Sequence, residues 1–196
     1  MTPTGNQIVL ASQSPRRRAL LEQIGIRFSV RVADVDESQL AGEPVTDYVV
    51  RLAESKAAAV CTGLDSPVPV LGADTVVVVD GSALGKPSNR DDASKMLTQL
   101  SGRSHEVLTA VAVADGRRKV VLNTTRVWFR DISVAECDAY VRTEEPMDKA
   151  GAYAIQGFAA VFVSRIDGSY SGVMGLPLYE TAGLLAEFDV HPKNLD

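Results

Sequence analysis

The stretch Ile8-Val9-Leu10-Ala11-Ser12-Gln13-Ser14-Pro15-Arg16-Arg17-Arg18 reads as a short buried strand, a polar turn and the start of a helix. Ser14 suits an N-cap and Pro15 the first helical position. Leu20, Leu21 and Ile24 then form an apolar face, and Gly25 is a stop signal. The three arginines run against the helix dipole, which favours Asp or Glu in a first turn. Two readings follow: a solvated basic helix start, or an anion site made by the arginines and the free backbone amides, as helix N-termini hold phosphates. Arg17 lies at helical spacing from Leu20, Leu21 and Ile24, so it is expected to point toward the body of the protein.

A strand turning into a helix sets the pattern for the rest of the chain. Strand signals recur at Ile26–Val32, Val68–Val79, 105–114, 117–129 and Phe158–Ile166. Helical periodicity runs from Val45 to Cys61, after a cap at Ser88 or Asn89, over 133–143, and from Pro177 to Phe188. Asp80-Gly81 and Asp115-Gly116 mark hairpins, and the tail from His191 to Asp196 is expected to be loose. The alternation predicts an α/β fold, a mixed twisted sheet with flanking helices. The 196 residues suit one domain, with a lobe division expected near 130–150.

With 45% apolar residues the chain can bury a proper core. A net charge of -5 argues against a general nucleic-acid binder, so any nucleotide site must be a local basic pocket. Cys61 and Cys137 are far apart and lack metal-ligand spacing, which reads as two reduced thiols, and the lone His105 and His191 make a zinc site improbable. No signal peptide and no run long enough for a membrane span is evident, so a soluble cytoplasmic protein is expected.

Three further features suggest chemistry. Asp74 stands in the apolar run Val70–Val79, where a carboxylate is costly unless paired, metal-bound or at a cleft. With Asp80-Gly81 as a two-residue loop, Val79 faces Ser82, and counting back pairs Thr75 with Lys86. This would set Lys86 beside Asp74, as a structural ion pair or a functional one. Lys56 lies close to three full turns on from Val45, on the face set by Val45, Val49 and Leu52, so it either snorkels or lines a polar cleft. The acidic loop Asp34-Val35-Asp36-Glu37 is either solvated or a source of ligands for a divalent cation, which one or two carboxylates and substrate phosphates often hold. Together these clues point to a polyphosphate site with a metal. Neither a P-loop nor a Gly-x-Gly-x-x-Gly fingerprint is present.

At these residues the sequence resembles the Maf family of nucleoside triphosphate pyrophosphatases, once described as septum-formation inhibitors. The matching blocks are Leu10–Arg17, Gly72-Ala73-Asp74-Thr75, Gly85-Lys86-Pro87, Leu100-Ser101-Gly102, Asp148–Gly157 and Val173–Leu178. They keep the family order and span nearly the whole chain. The resemblance implies a fold related to inosine triphosphate pyrophosphatases, with two lobes around a deep groove. It also implies hydrolysis of a nucleoside triphosphate to monophosphate and pyrophosphate with Mg²⁺ or Mn²⁺, and a possible homodimer. Asp74 matches the family's proton acceptor. Ser12, Arg16, Arg17, Glu37, Lys56 and Lys86 match its other groove residues, with Glu37 and Asp74 the expected metal ligands.

Within the family, Arg16, Thr75 and Gln156 occupy specificity positions. Thr75 and Gln156 resemble the subgroup acting on dTTP and UTP, whereas the subgroup acting on 7-methyl-GTP tends to have Gln and Glu there. A Gln amide offers donor and acceptor, as the imide edge of uracil or thymine does; a Glu accepts only. One methyl is worth about 1–3 kcal/mol in a pocket, so weak discrimination between the two pyrimidines is reasonable. Phe158 stands where related chains vary. The alternatives are the same chemistry on 7-methyl-GTP or modified nucleotides, and a nucleotide-binding regulator of cell division with little turnover.

Overall fold

The computed structural model describes residues 7–32, 34–64 and 68–192. Among these residues seven strands form a mixed sheet: β1 (Ile8–Leu10), β2 (Phe28–Val30), β3 (Val70–Val79), β4 (Ser82–Leu84), β5 (Ser104–Ala114), β6 (Arg118–Phe129) and β7 (Val163–Asp167). Their order is β2-β1-β3-β5-β6-β7, with β4 hydrogen-bonded to β3 off that path. β1 pairs in parallel with β2 and β3, while the β3–β4 and β6–β7 pairs are antiparallel. The helices are α1 (Pro15–Gln23), α2 (Val45–Cys61), α3 (Arg90–Leu100), α4 (Val134–Val141), α5 (Tyr170–Val173) and α6 (Leu178–Ala186). The expected α/β class with a mixed sheet and flanking helices is the one observed.

Local chemistry explains most helix starts. The Ser14 hydroxyl accepts from the Arg17 amide, Asn89 from that of Asp92, and Ser133 and Glu136 close a reciprocal capping box. α2 occupies the bounds its periodicity predicts, with Val49, Leu52, Ala53, Ala57 and Val60 buried. The Asp80-Gly81 hairpin has both residues at positive φ, 51° and 75°, the left-handed geometry a two-residue turn needs.

Two expectations fail here. The hairpin register is the predicted one, Val79 opposite Ser82, but the ladder ends at Val77–Leu84. Thr75 and Lys86 are therefore not a ladder pair. One residue beyond β4, the Gly85 carbonyl accepts from the Gly151 amide at 3.0 Å, and Pro87 has no N–H with which to continue a ladder. Second, the segment read as a strand from Phe158 is a 3₁₀ helix over Phe158–Phe162, and β7 begins only at Val163. Ala159 and Phe162 are buried at a spacing of three, a helical period that outweighs the strand propensity of Phe and Val. At the chain end, residues 193–196 of the expected loose tail lie outside the described residues.

The chain forms two compact units. One comprises residues 1–74, 109–123 and 175–196; the other comprises 75–108 and 124–174. The unit boundaries fall within β3, β5 and β6 and between Met174 and Gly175. In the first unit, Val9, Ala11, Val60 and Val70 form an apolar cluster of strand and helix residues. The second unit has a larger core that includes Val77, Leu97, Leu100, Phe129, Tyr140, Tyr153 and Phe162. His105 lies in that core, 3% exposed, with Nε2 2.8 Å from the Tyr153 hydroxyl and its ring edge-on to Phe129. Cys61 and Cys137 are both free thiols, as expected.

Candidate functional site

In the first unit, Gly72 fixes how α2 meets β3. A Cβ at Gly72 would lie 2.4 Å from the Ala53 carbonyl oxygen and 2.6 Å from the Ala57 amide nitrogen. Only a residue without a side chain permits that approach. Alternation along the strand puts Asp74 on the same face as Gly72, the face α2 covers. Lys56, one residue before Ala57, meets it there: Nζ is 2.6 Å from Asp74 Oδ1 and 2.7 Å from Glu37 Oε1. The side chains of Lys56 and Asp74 are only 11% and 13% exposed; that of Glu37 is 58% exposed. The carboxylate expected beside Lys86 is therefore partnered by Lys56. Of the alternatives for Lys56, snorkelling and lining a polar site, the second is observed.

A second group braces the loop that delivers Glu37. The Tyr48 hydroxyl donates to the Glu37 carbonyl at 2.9 Å, and Arg51 donates to the Ser38 carbonyl at 3.0 Å. Arg51 also grips both carboxylate oxygens of Glu43, at 2.6 and 2.8 Å. Burial and the charges of Asp74 and Glu37 raise the Tyr48 pKa, which keeps it a neutral donor. Asp36 is engaged in its own turn, accepting from the Ser38 amide at 2.9 Å, while Asp34 is exposed. Sequence reasoning missed Tyr48 and Arg51. Their signal was present: Tyr48 and Arg51 stand three residues apart in the first turns of α2, after the acidic loop.

The start of α1 contributes the third group. Ser12 is buried, and its hydroxyl oxygen accepts from the Ser14 amide at 3.2 Å and from Arg17 Nη1 at 3.1 Å. Arg17 Nε donates to the Gly175 carbonyl at 2.8 Å. The arginine points inward, as its spacing predicts, and the first turn holds no acidic residue. Burial lowers the Arg17 pKa, the neighbouring Arg16 adds to that, and the Asp74 and Glu37 carboxylates counter it. Ser12, Arg16, Arg17, Glu37, Lys56 and Asp74 thus belong to one unit and make one electrostatic neighbourhood. The remaining expected residues lie in the other unit: half-buried Thr75 in β3, exposed Lys86 beyond β4, and exposed Gln156 in a turn.

Two carboxylates aimed at a single cationic atom are the donor chemistry of a hard divalent cation. No group of three or more His, Cys, Asp or Glu is placed to hold a metal ion among the described residues. A carboxylate pair fits Mg²⁺ or Mn²⁺ held partly by water and substrate phosphates, and does not fit a closed all-protein cage. No helix among the described residues is long and apolar enough to cross a membrane.

Arginines and a lysine beside two carboxylates are chemistry suited to phosphates and a divalent cation, and the chain belongs to the Maf family: the family profile described as Maf-like protein matches residues 7–188. Among its relatives, a dTTP/UTP pyrophosphatase of Nitrosomonas europaea is 52% identical over 95% of this chain and 97% of its own length. One from Methylobacillus flagellatus is 54% identical over 91% of each chain, and one from Chromobacterium violaceum is 51% identical over 96% and 98%. The solved structure of the Staphylococcus aureus Ham1 protein aligns with a TM-score of 0.45 at 18% identity, over 63% of this chain and 72% of that one. That likeness is too distant to bear on the site.

Proposed function

We propose that this chain hydrolyses dTTP and UTP to the nucleoside monophosphate and pyrophosphate, with a divalent cation bound by Glu37 and Asp74. The observation that carries the reading is the convergence of Asp74 and Glu37 on Lys56 Nζ, next to the arginines of α1. The relatives named dTTP/UTP pyrophosphatase support the choice of base. Water attacks the α-phosphorus; the new P–O bond forms as the bond to the bridging oxygen breaks, and pyrophosphate leaves. Asp74 takes the proton from the water or holds the cation that activates it. A bound cation would supply Lewis-acid stabilisation of phosphate charge and a more acidic water. Arg16, Arg17, Lys56 and Lys86 hold the triphosphate and offset charge building on the leaving group. Arg17 is fixed by Ser12 and Gly175 before substrate arrives, which reduces the reorganisation required during turnover. Arg16, Thr75 and Gln156 read the base.

The test is pyrophosphate release from dTTP, UTP, CTP, GTP, ATP and 7-methyl-GTP with Mg²⁺ or Mn²⁺, for the wild type and Asp74→Asn. Asn keeps the shape and removes the charge. Release from dTTP and UTP that is nearly abolished in the folded variant is the expected result. Near-normal turnover by the variant sinks the role of Asp74. Activity confined to another nucleotide sinks the base assignment, and no turnover on any of them would favour a binding role in its place.

A further inference from the structure

The second unit contains a polar construction that the hydrolytic chemistry does not use. Residues 154–157 form a β-turn, closed by the Gly157 amide donating to the Ala154 carbonyl at 3.0 Å. Its two corner residues differ sharply: Ile155 is buried in the core, and Gln156 is exposed. The Gln156 amide has no hydrogen-bond partner among the described residues. Both ends of the turn are held by one pair of side chains. The Ala154 amide donates to the Tyr140 hydroxyl at 3.1 Å, which donates in turn to Glu145 Oε1 at 2.7 Å. The other carboxylate oxygen, Oε2, accepts from the Phe158 amide at 3.1 Å. The carboxylate packs so closely under the turn that a Cβ at Gly157 would lie 2.5 Å from each of its oxygens. Glu145 is itself anchored, its carbonyl accepting from Lys149 Nζ at 2.7 Å, and the Phe158 ring stacks on Tyr140 at 6.0 Å.

We propose that Tyr140 and Glu145 are positioning residues for Gln156, fixing the backbone on both sides of it so that its unpartnered amide is presented in one direction for base selection. The proposal rests on the reading of Gln156 as a specificity residue. Tyr140→Phe removes one link and leaves the Ala154 amide unsatisfied. Glu145→Gln keeps one acceptor oxygen and turns the other into a donor, so either the Tyr140 hydroxyl proton or the Phe158 amide loses its acceptor. A displaced Gln156 loses a contact made in ground and transition states alike, which raises KM and spares kcat.

The experiment measures kcat and KM for dTTP and GTP in wild type, Tyr140→Phe, Glu145→Gln, Gln156→Ala and the Glu145→Gln/Gln156→Ala double variant. The expected result is a fall of about tenfold in the dTTP-over-GTP ratio of kcat/KM for each single variant, the size of one lost hydrogen bond. The KM for dTTP should carry the change, and Glu145→Gln should add nothing to the ratio once Gln156 is Ala. Gly157→Ala is a second route to the same displacement that keeps every hydrogen-bonding group, and it should lower the ratio too. If Gln156→Ala lowers the ratio while these variants leave it intact, the positioning role is overturned alone. It is overturned as well if Glu145→Gln lowers the ratio equally in the double variant. If Gln156→Ala itself leaves the ratio unchanged, the specificity reading falls and takes the positioning role with it.

Discussion

Replacing Lys56 by Met keeps the length and most of the apolar stem while removing the ammonium that stands between Asp74 and Glu37. At an effective dielectric near 20, unit charges about 4 Å apart attract by about 4 kcal/mol, and Lys56 has two such partners. Desolvation of the three charges cancels much of that attraction in the wild type. It does not cancel in the variant, where a 13%-exposed Asp74 loses its partner. Breaking a buried pair from one side costs about 3–5 kcal/mol. Glu37 is 58% exposed and can turn to water, so its share is screened and the lower end applies, about 3 kcal/mol. For a chain of this size each kcal/mol moves Tm by about 2–4 °C, so Lys56→Met should melt about 6–12 °C lower with EDTA present. Urea unfolding should give the same loss, and a Lys56→Met/Asp74→Asn double variant should recover part of it. Adding Mn²⁺ should raise Tm more in Lys56→Met than in the wild type, because the carboxylates then lack a competing cation. A variant within about 0.5 kcal/mol of wild type, or strict additivity in the double variant, would refute the argument that this pair holds α2 and β3 together.

Two other outcomes test separate parts of the molecule. Gly72→Ala drives a methyl to within 2.4–2.6 Å of helix backbone atoms that cannot rotate away, so stability should fall by about 3 kcal/mol and turnover should fall with it, measured by urea unfolding and pyrophosphate release. His105 is pushed by burial from 6.5 down to about 4. Between those values the unfolded chain binds a proton that the folded one refuses, so stability should be lost as pH falls from about 6.5 to 4, by up to about 3 kcal/mol. His105→Gln keeps a partner for the Tyr153 hydroxyl and should flatten that profile in urea midpoints at pH 7 and pH 5.

What could be read from the sequence followed from local rules. The cap at Ser14, a cap at Ser88 or Asn89, the bounds of α2 and the register of the Asp80-Gly81 hairpin depend on residues a few positions apart, and each is observed, the second cap at Asn89. Arg17 and Lys56 were legible as misplaced charges because helical periodicity states which face they share. What stayed hidden depends on residues remote in the chain. Lys86 leaves the hairpin because Gly151 takes the Gly85 carbonyl and Pro87 cannot continue the ladder, and only the second of these is written near Lys86. Lys56 finds Asp74 only because Gly72 lets a helix press on a strand. The 3₁₀ turn at Phe158–Phe162 has strand-like composition and is decided by which side chains the core accepts.

The turn around Gln156 also bears on how such a protein can diverge. Its backbone is secured by Tyr140, Glu145 and Ile155, and the exposed residue takes no part in holding it. Selection acting on position 156 is therefore decoupled from selection acting on the fold. A lineage can exchange the amide there for a carboxylate, as the resemblance suggests another subgroup has done, without compensating changes in the scaffold. Glu145 and Gly157 have no such latitude, since the carboxylate and the missing side chain occupy one another's space. The fold should tolerate substitution at the tip of this turn and not beneath it.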